Sequence, residues 1–137
     1  TMNAASPPEQ YERSREMRIQ QSIQHKSCAD GSYMKEFLLD APLTREFFLY
    51  LENFGKVDQL PNLGEGFYTF NKPDWFSIKG FAGDTTVEVR FKKETMTITG
   101  DFLYLLFSSY RDGEVDLTVL KKREELRTEK IRKLLGK

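Results

Sequence analysis

The sequence predicts an α+β fold: an antiparallel sheet of about five strands, helices packed mainly on one face, and an added N-terminal helix. Three observations carry that prediction. Residues 86–91 alternate Val87, Val89 and Phe91 with Thr86, Glu88 and Arg90, the period-two pattern of a strand with one wet face. Residues 42–54 set Leu43, Phe47, Leu51 and Phe54 at helical spacing, between the start signal Asp40-Ala41-Pro42 and a stop at Gly55. From about Asp116 to Leu135 a charged segment spaces Leu117, Leu120, Ile131, Leu134 and Leu135 as a long helix, and Gly136 ends it.

The remaining elements follow in order. Pro7-Pro8 opens a polar stretch of good helix formers whose apolar residues, Tyr11, Met17, Ile19 and Ile23, are too sparse for a wide core stripe. Residues 1–30 are therefore expected as a helical extension, and 31–137 as one α+β domain. Tyr33–Leu39 reads as the first strand, followed by the helix at 42–54 and a loop over 56–66. Four strand-like segments come next: Phe67–Phe70, Trp75–Phe81, Thr86–Phe91 and Thr95–Thr99, separated by turn-like Asn71-Lys72-Pro73-Asp74, Ala82-Gly83-Asp84 and Lys92-Lys93-Glu94. Residues 101–110 read two ways. Asp101 caps a short helix, or Gly100-Asp101 turns the chain into another strand, which the crowding of Phe, Tyr and Leu favours. The resulting β-α-β-β-β-β-α order resembles the half-repeat of TATA-binding-protein-like folds and a short helix-grip arrangement. That likeness is one of element order, and such scaffolds carry binders, carriers and enzymes alike.

The chain has 137 residues, the size of one domain, and buries roughly two-thirds of its unfolded surface on folding. Eleven Phe, six Tyr and one Trp supply large areas to bury. A single cysteine, Cys28, excludes an internal disulfide framework. No apolar signal-like segment opens the sequence, and the longest apolar run, Phe102–Phe107, falls far short of the about twenty residues a bilayer span needs. The expectation is a soluble, cytoplasmic protein without a membrane partner. Net charge is zero but unevenly spread. Residues 1–26 hold four Lys/Arg and three Glu (+1), 27–120 nine Lys/Arg and fifteen Asp/Glu (−6), and 121–137 eight Lys/Arg and three Glu (+5). An acidic body with a basic tail can fold onto itself, pair with another copy or meet a polyanion.

Motifs for chemistry are thin. His25 and Cys28 offer half of a metal site, but no other His or Cys exists to complete four ligands. As a nucleophile and base, the same two residues lie in the least patterned part of the chain. Ser108-Ser109 lacks the flanking glycines of a nucleophile elbow. Gly64-Glu65-Gly66 precedes a strand, so no helix N-terminus would face a phosphate there. Asp40, Asp74, Asp84, Asp101 and Asp112 lie at element ends, where turns and helix starts explain them. No catalytic residue, metal or cofactor is assigned, and the reading leans away from an enzyme.

The aromatic cluster is the least ordinary feature. Phe67, Tyr68, Phe70, Trp75, Phe76 and Phe81 fall on two neighbouring strands and, alternating, cannot all face one side. One set is expected in the core and the other on a second surface. Tyr68, Phe70 and Phe76 are the expected partner-facing patch, and Tyr68, Trp75 and Phe81 the candidate lining of a ligand pocket between sheet and helices. Lys121, Lys122, Arg123, Arg127 and Lys130 form a basic surface for an acidic partner or nucleic acid, although Glu124, Glu125 and Glu129 interleave with them. The expected function is a non-catalytic interaction module forming a homo-oligomer, most simply a two-fold dimer, or docking a protein partner. The alternatives are a small-molecule binder or enzyme, and a nucleic-acid-binding accessory protein.

Overall fold

A computed structural model describes residues 17–60, 62, 66–110 and 115–137. The expected helix over residues 8–16, the turn at Asp112-Gly113, and Gly64-Glu65 lie outside the described residues. The fold is α+β, and the described residues form six antiparallel strands in the order β1-β2-β6-β5-β4-β3: β1 Ile19–Ser27, β2 Ser32–Leu39, β3 Lys56–Gln59, β4 Phe67–Lys72, β5 Phe76–Phe81 and β6 Thr86–Lys92. Three α-helices accompany them among the described residues: α1 Arg45–Leu51, α2 Met96–Ser109 and α3 Leu117–Leu134.

Three expectations are corrected. Residues 19–27, expected as part of a helical extension, are the edge strand β1, paired antiparallel with β2 from Ile19↔Leu39 to Ser27↔Tyr33. Its polar sequence suits an edge, and register shifts at Ile19/Gln21 and Ser22/Gln24 break the regular ladder that would recruit another strand. Residues 56–59 are an edge strand and not loop; only Val57 there is half-buried, so no alternation marked it. Residues 95–110 are helical and not a strand pair. A 3₁₀ turn over Lys93–Thr95 leads into α2, with Thr95, Thr99, Phe102, Leu103, Leu106, Phe107 and Tyr110 all buried. Those positions recur with the 3.6 period of a helix once the two threonines are counted as apolar. The Thr99 hydroxyl donates to the Thr95 carbonyl, which lets it sit inside.

The start of α1 also moves. Thr44 caps it, its hydroxyl accepting from the Phe47 N–H at 3.0 Å. Asp40 instead accepts from the Arg18 N–H at 2.8 Å, and Leu43 pairs with the β5–β6 turn through Asp84 and Gly83. Pro42 thus lies in an extended lead-in, not in the first helical turn. Gly55 does not cap the far end. A side chain there would come within 2.6 Å of the Asn71 carbonyl and 2.7 Å of the Phe70 ring, so glycine allows β3 to turn in against β4. The third helix begins as expected: Asp116 accepts from the Val119 N–H, and Gly136 takes a positive φ beyond its end.

The three described α-helices pack on one face of the sheet. Phe37, Phe70, Phe76, Ile78, Val87, Val89 and Phe91 project from the strands into one core with Phe47, Phe48 and Leu51 of α1 and the buried face of α2. Rings dominate this layer: Phe47 stands 4.8 Å from Phe107 and 5.1 Å from Tyr110, and Phe48 stacks on Tyr68 at 4.7 Å. Tyr50 is held inside because its hydroxyl donates to the Leu106 carbonyl at 2.7 Å; burial first, and the neighbouring Tyr110 second, push its ionisation well above the ordinary range. No described helix is long and apolar enough to cross a membrane.

Candidate functional surfaces

Register decides where the strand aromatics go. Tyr68↔Gly80, Phe70↔Ile78 and Lys72↔Phe76 form the inward rows of β4 and β5, and Phe67↔Phe81 and Thr69↔Lys79 the outward rows. Tyr68, Phe70 and Phe76, expected as a partner-facing patch, are therefore buried against the helices. The one-residue offset that puts Phe67 outside puts all three inside, and α1 and α2 supply enough apolar surface to cover them. Of the expected pocket lining, Tyr68 and Trp75 are buried core residues. Phe81 is the exposed one of the three, at 37%, its ring 4.7 Å from that of Phe67.

Among the described residues, no helix lies on the outer face of the sheet. Its middle row runs Glu36, Glu88, Lys79, Thr69 and Asp58 across five strands, and its next row Met34, Arg90, Ser77, Asn71 and Lys56. Beside Phe67 and Phe81 lies a shallow depression of about 410 Å³, bounded by Glu36, Lys79, Asp84 and Glu88. At the opposite end of the strands a cleft of about 420 Å³ opens between the β1–β2 and β4–β5 turns, lined by Asp30, Ser32, Asp74, Trp75, Ser77 and Arg90 among others.

The two aspartates of that cleft are engaged in structure. Asp30 accepts from the Ser32 hydroxyl at 2.6 Å and its N–H at 3.0 Å, which lowers its pKa. Asp74 takes φ 70°, the left-handed region that disfavours side chains, and its carboxylate pairs with Lys137 at 2.7 Å and Lys92 at 3.3 Å. The hydrogen bond from Lys137 is the main cause that holds this carboxyl below its ordinary value. The Nε of Arg90 is buried without a hydrogen-bond acceptor, 3.5 Å from Glu88.

Lys72 crosses to the helix side. Its ammonium donates to the Phe54 carbonyl at 2.8 Å and to the Glu124 carboxylate, and lies 4.5 Å over the Trp75 ring. Burial lowers its pKa, against the opposing pull of Glu124. No sequence pattern announced this contact, since Lys72 sits in a segment that reads as a turn.

The basic helix divides between two environments. Lys121 donates to the Asn53 carbonyl and lies 4.9 Å over Phe54, and Arg127 stacks 5.8 Å over Phe102. Both clamp α3 to the body. Lys122, Arg123 and Lys130 are exposed. Among the other candidates, His25 stacks on Tyr33 at 5.9 Å in β1, and Cys28 shapes the β1–β2 turn through its own backbone. The described residues contain no group of three or more His, Cys, Asp or Glu able to hold a metal ion. In comparisons with known proteins, the chain matches no family, and no curated protein or solved structure is similar enough to count as a match.

Proposed function

We propose that this chain is a non-catalytic interaction module that self-associates as a two-fold dimer through the outer face of its sheet. The observation that carries the reading is the charge layout of that face. Lys79 and Glu88 are cross-strand neighbours at its centre. A two-fold axis running along the strands between β5 and β6 sets Lys79 of each copy against Glu88 of the other, and Leu38 against Phe67. One surface thereby satisfies both copies. Supporting it, the aspartates of the neighbouring cleft, Asp30 and Asp74, are already paired within the chain.

Area sets the strength. Six strands about 4.8 Å apart and about six residues long at roughly 3.3 Å each give on the order of 600 Å². That is below the about 800 Å² per partner of standard interfaces, and the face is largely polar, so the dimer is weak and concentration-dependent. Sedimentation velocity on a dilution series into hundreds of micromolar tests it. Mass should rise towards the dimer, Lys79→Glu and Glu88→Lys should each restore the monomer, and the double swap should recover association. A constant monomer mass for the unaltered chain defeats the reading.

Small-molecule binding is the second reading, and the 420 Å³ cleft with Trp75 in its wall is what favours it. Trp75 is the single tryptophan, so a ligand retained there would shift its fluorescence.

A further inference from the structure

Helix α3 buries Leu120 and Ile131 and turns a different kind of face outward. At 3.6 residues per turn, Val119, Lys122, Arg123, Leu126, Lys130, Lys133 and Leu134 fall within about 120° of arc. Every one of them is exposed, Leu126 at 62%, Leu134 at 52% and Val119 at 49%. The three acids of the helix, Glu124, Glu125 and Glu129, all lie outside this arc. Four cations and three aliphatic side chains thus share one straight stripe about 22 Å long, with the N-cap Asp116 at its N-terminal end and Glu129 along one edge. Of the intervening glutamates that make the helix look self-neutralised in sequence, Glu124 and Glu125 lie well away from the stripe, and Glu129 flanks it beside Lys133, paired with Arg132.

We propose that this stripe is a docking surface for an anionic lipid bilayer, on which α3 lies parallel to the membrane plane. Both halves of its chemistry are used there. Lipid phosphates and carboxylates pair with the four cations, and the aliphatic side chains enter the boundary between headgroups and acyl chains while the long lysine stems reach back to the headgroups. Nucleic acid uses the cations but leaves Leu126, at the centre of the stripe, in water. An acidic protein that wraps a helix needs its whole circumference, and Leu120, Glu124 and Ile131 hold the other side of α3 against the body. A flat partner needs one side only. The expectation of no membrane partner came from the lack of a spanning run, and a helix lying in the interface needs none.

Co-sedimentation with vesicles tests this on the full chain. The protein should bind vesicles containing phosphatidylserine, not phosphatidylcholine alone, and salt should weaken binding. Lys130→Glu with Lys133→Glu should lower partitioning by at least about tenfold, and Leu126→Ser should lower it severalfold. All three positions are exposed, and unchanged circular dichroism will confirm an intact fold. Three results overturn the proposal: no binding to phosphatidylserine vesicles at low ionic strength, equal binding to both vesicle types, or full vesicle binding by Leu126→Ser. Tight binding of a single-stranded DNA oligonucleotide that is indifferent to Leu126, with no vesicle binding, assigns the cations to nucleic acid instead.

Discussion

Lys72 brings its charge to a place where only 10% of its side chain stays exposed, and Glu124 meets it at 18%. A largely buried pair is weak evidence of stabilisation, but removing one partner leaves the other charge desolvated. The two removals are unequal here. Without Lys72, Glu124 keeps Lys121 at 3.6 Å; without Glu124, Lys72 keeps no anion, only a neutral carbonyl and the face of Trp75. Glu124→Leu should therefore lower unfolding free energy by about 2–3 kcal/mol, and Lys72→Met by less, as read by urea denaturation. Asp74 offers a pH test. Its folded pKa is depressed, so the stability it contributes is present above the ordinary carboxyl value and is lost as pH falls through the folded one. Stability should decline as pH drops below about 4, and Asp74→Asn should flatten that decline. Asparagine tolerates the left-handed backbone, so the comparison isolates the charge. The effect should be small, because the carboxylate is near the surface and screened.

At the scale of elements, α2 shows how local preference yields to packing. Thr95, Thr97 and Thr99 favour strands, and Gly100 sits where a helix gains nothing from it. The helix forms because Phe102, Leu103, Leu106 and Phe107 bury completely only when wound against the sheet and α1. Gly100 is at ordinary φ, and a methyl group there would meet only the Phe91 ring at 4.0 Å. Gly100→Ala should raise stability by about 0.5–1 kcal/mol, measured by thermal or chemical denaturation. A loss instead would mean that the helix approaches Phe91 more closely. The attachment of α3 is of another kind: Leu120 and Ile131 are its buried apolar residues, and Lys121 over Phe54, Arg127 over Phe102 and the Lys72–Glu124 pair add to them.

Across the whole molecule the two proposed surfaces are separate. Lys79 and Glu88 lie on the outer face of the sheet, and Leu126 and Lys130 on the outward side of the helical layer. Distant sites with no shared partners act independently. Glu88→Lys should abolish self-association and leave vesicle binding in place, and Leu126→Ser should do the reverse, with sedimentation velocity and co-sedimentation run on the same samples. Loss of both by either variant would show that the surfaces are coupled. Zero net charge lets neither surface be read from the total, since −6 over residues 27–120 and +5 over 121–137 cancel.

What the sequence determined by itself was whatever depends on near neighbours. The alternation of Thr86–Phe91, the core stripe of Phe47 and Leu51, and the Asp116 and Gly136 limits of α3 all appear in the structure. Each is set by bonds and side-chain spacings within a few residues. The tertiary structure decided what depends on a partner far along the chain. Residues 19–27 pair as a strand because β2 offers an edge, and 95–99 wind into a helix because their neighbours have a layer to fill. Tyr68, Phe70 and Phe76 turn inward because one step of register moves a whole strand's side chains to the opposite face. The candidate surfaces were hidden for the same reason. Phe81 was legible as an unplaced aromatic, but Lys79 and Glu88 meet only across two strands, and the basic and aliphatic stripe of α3 is apparent only once the buried side of the helix is known.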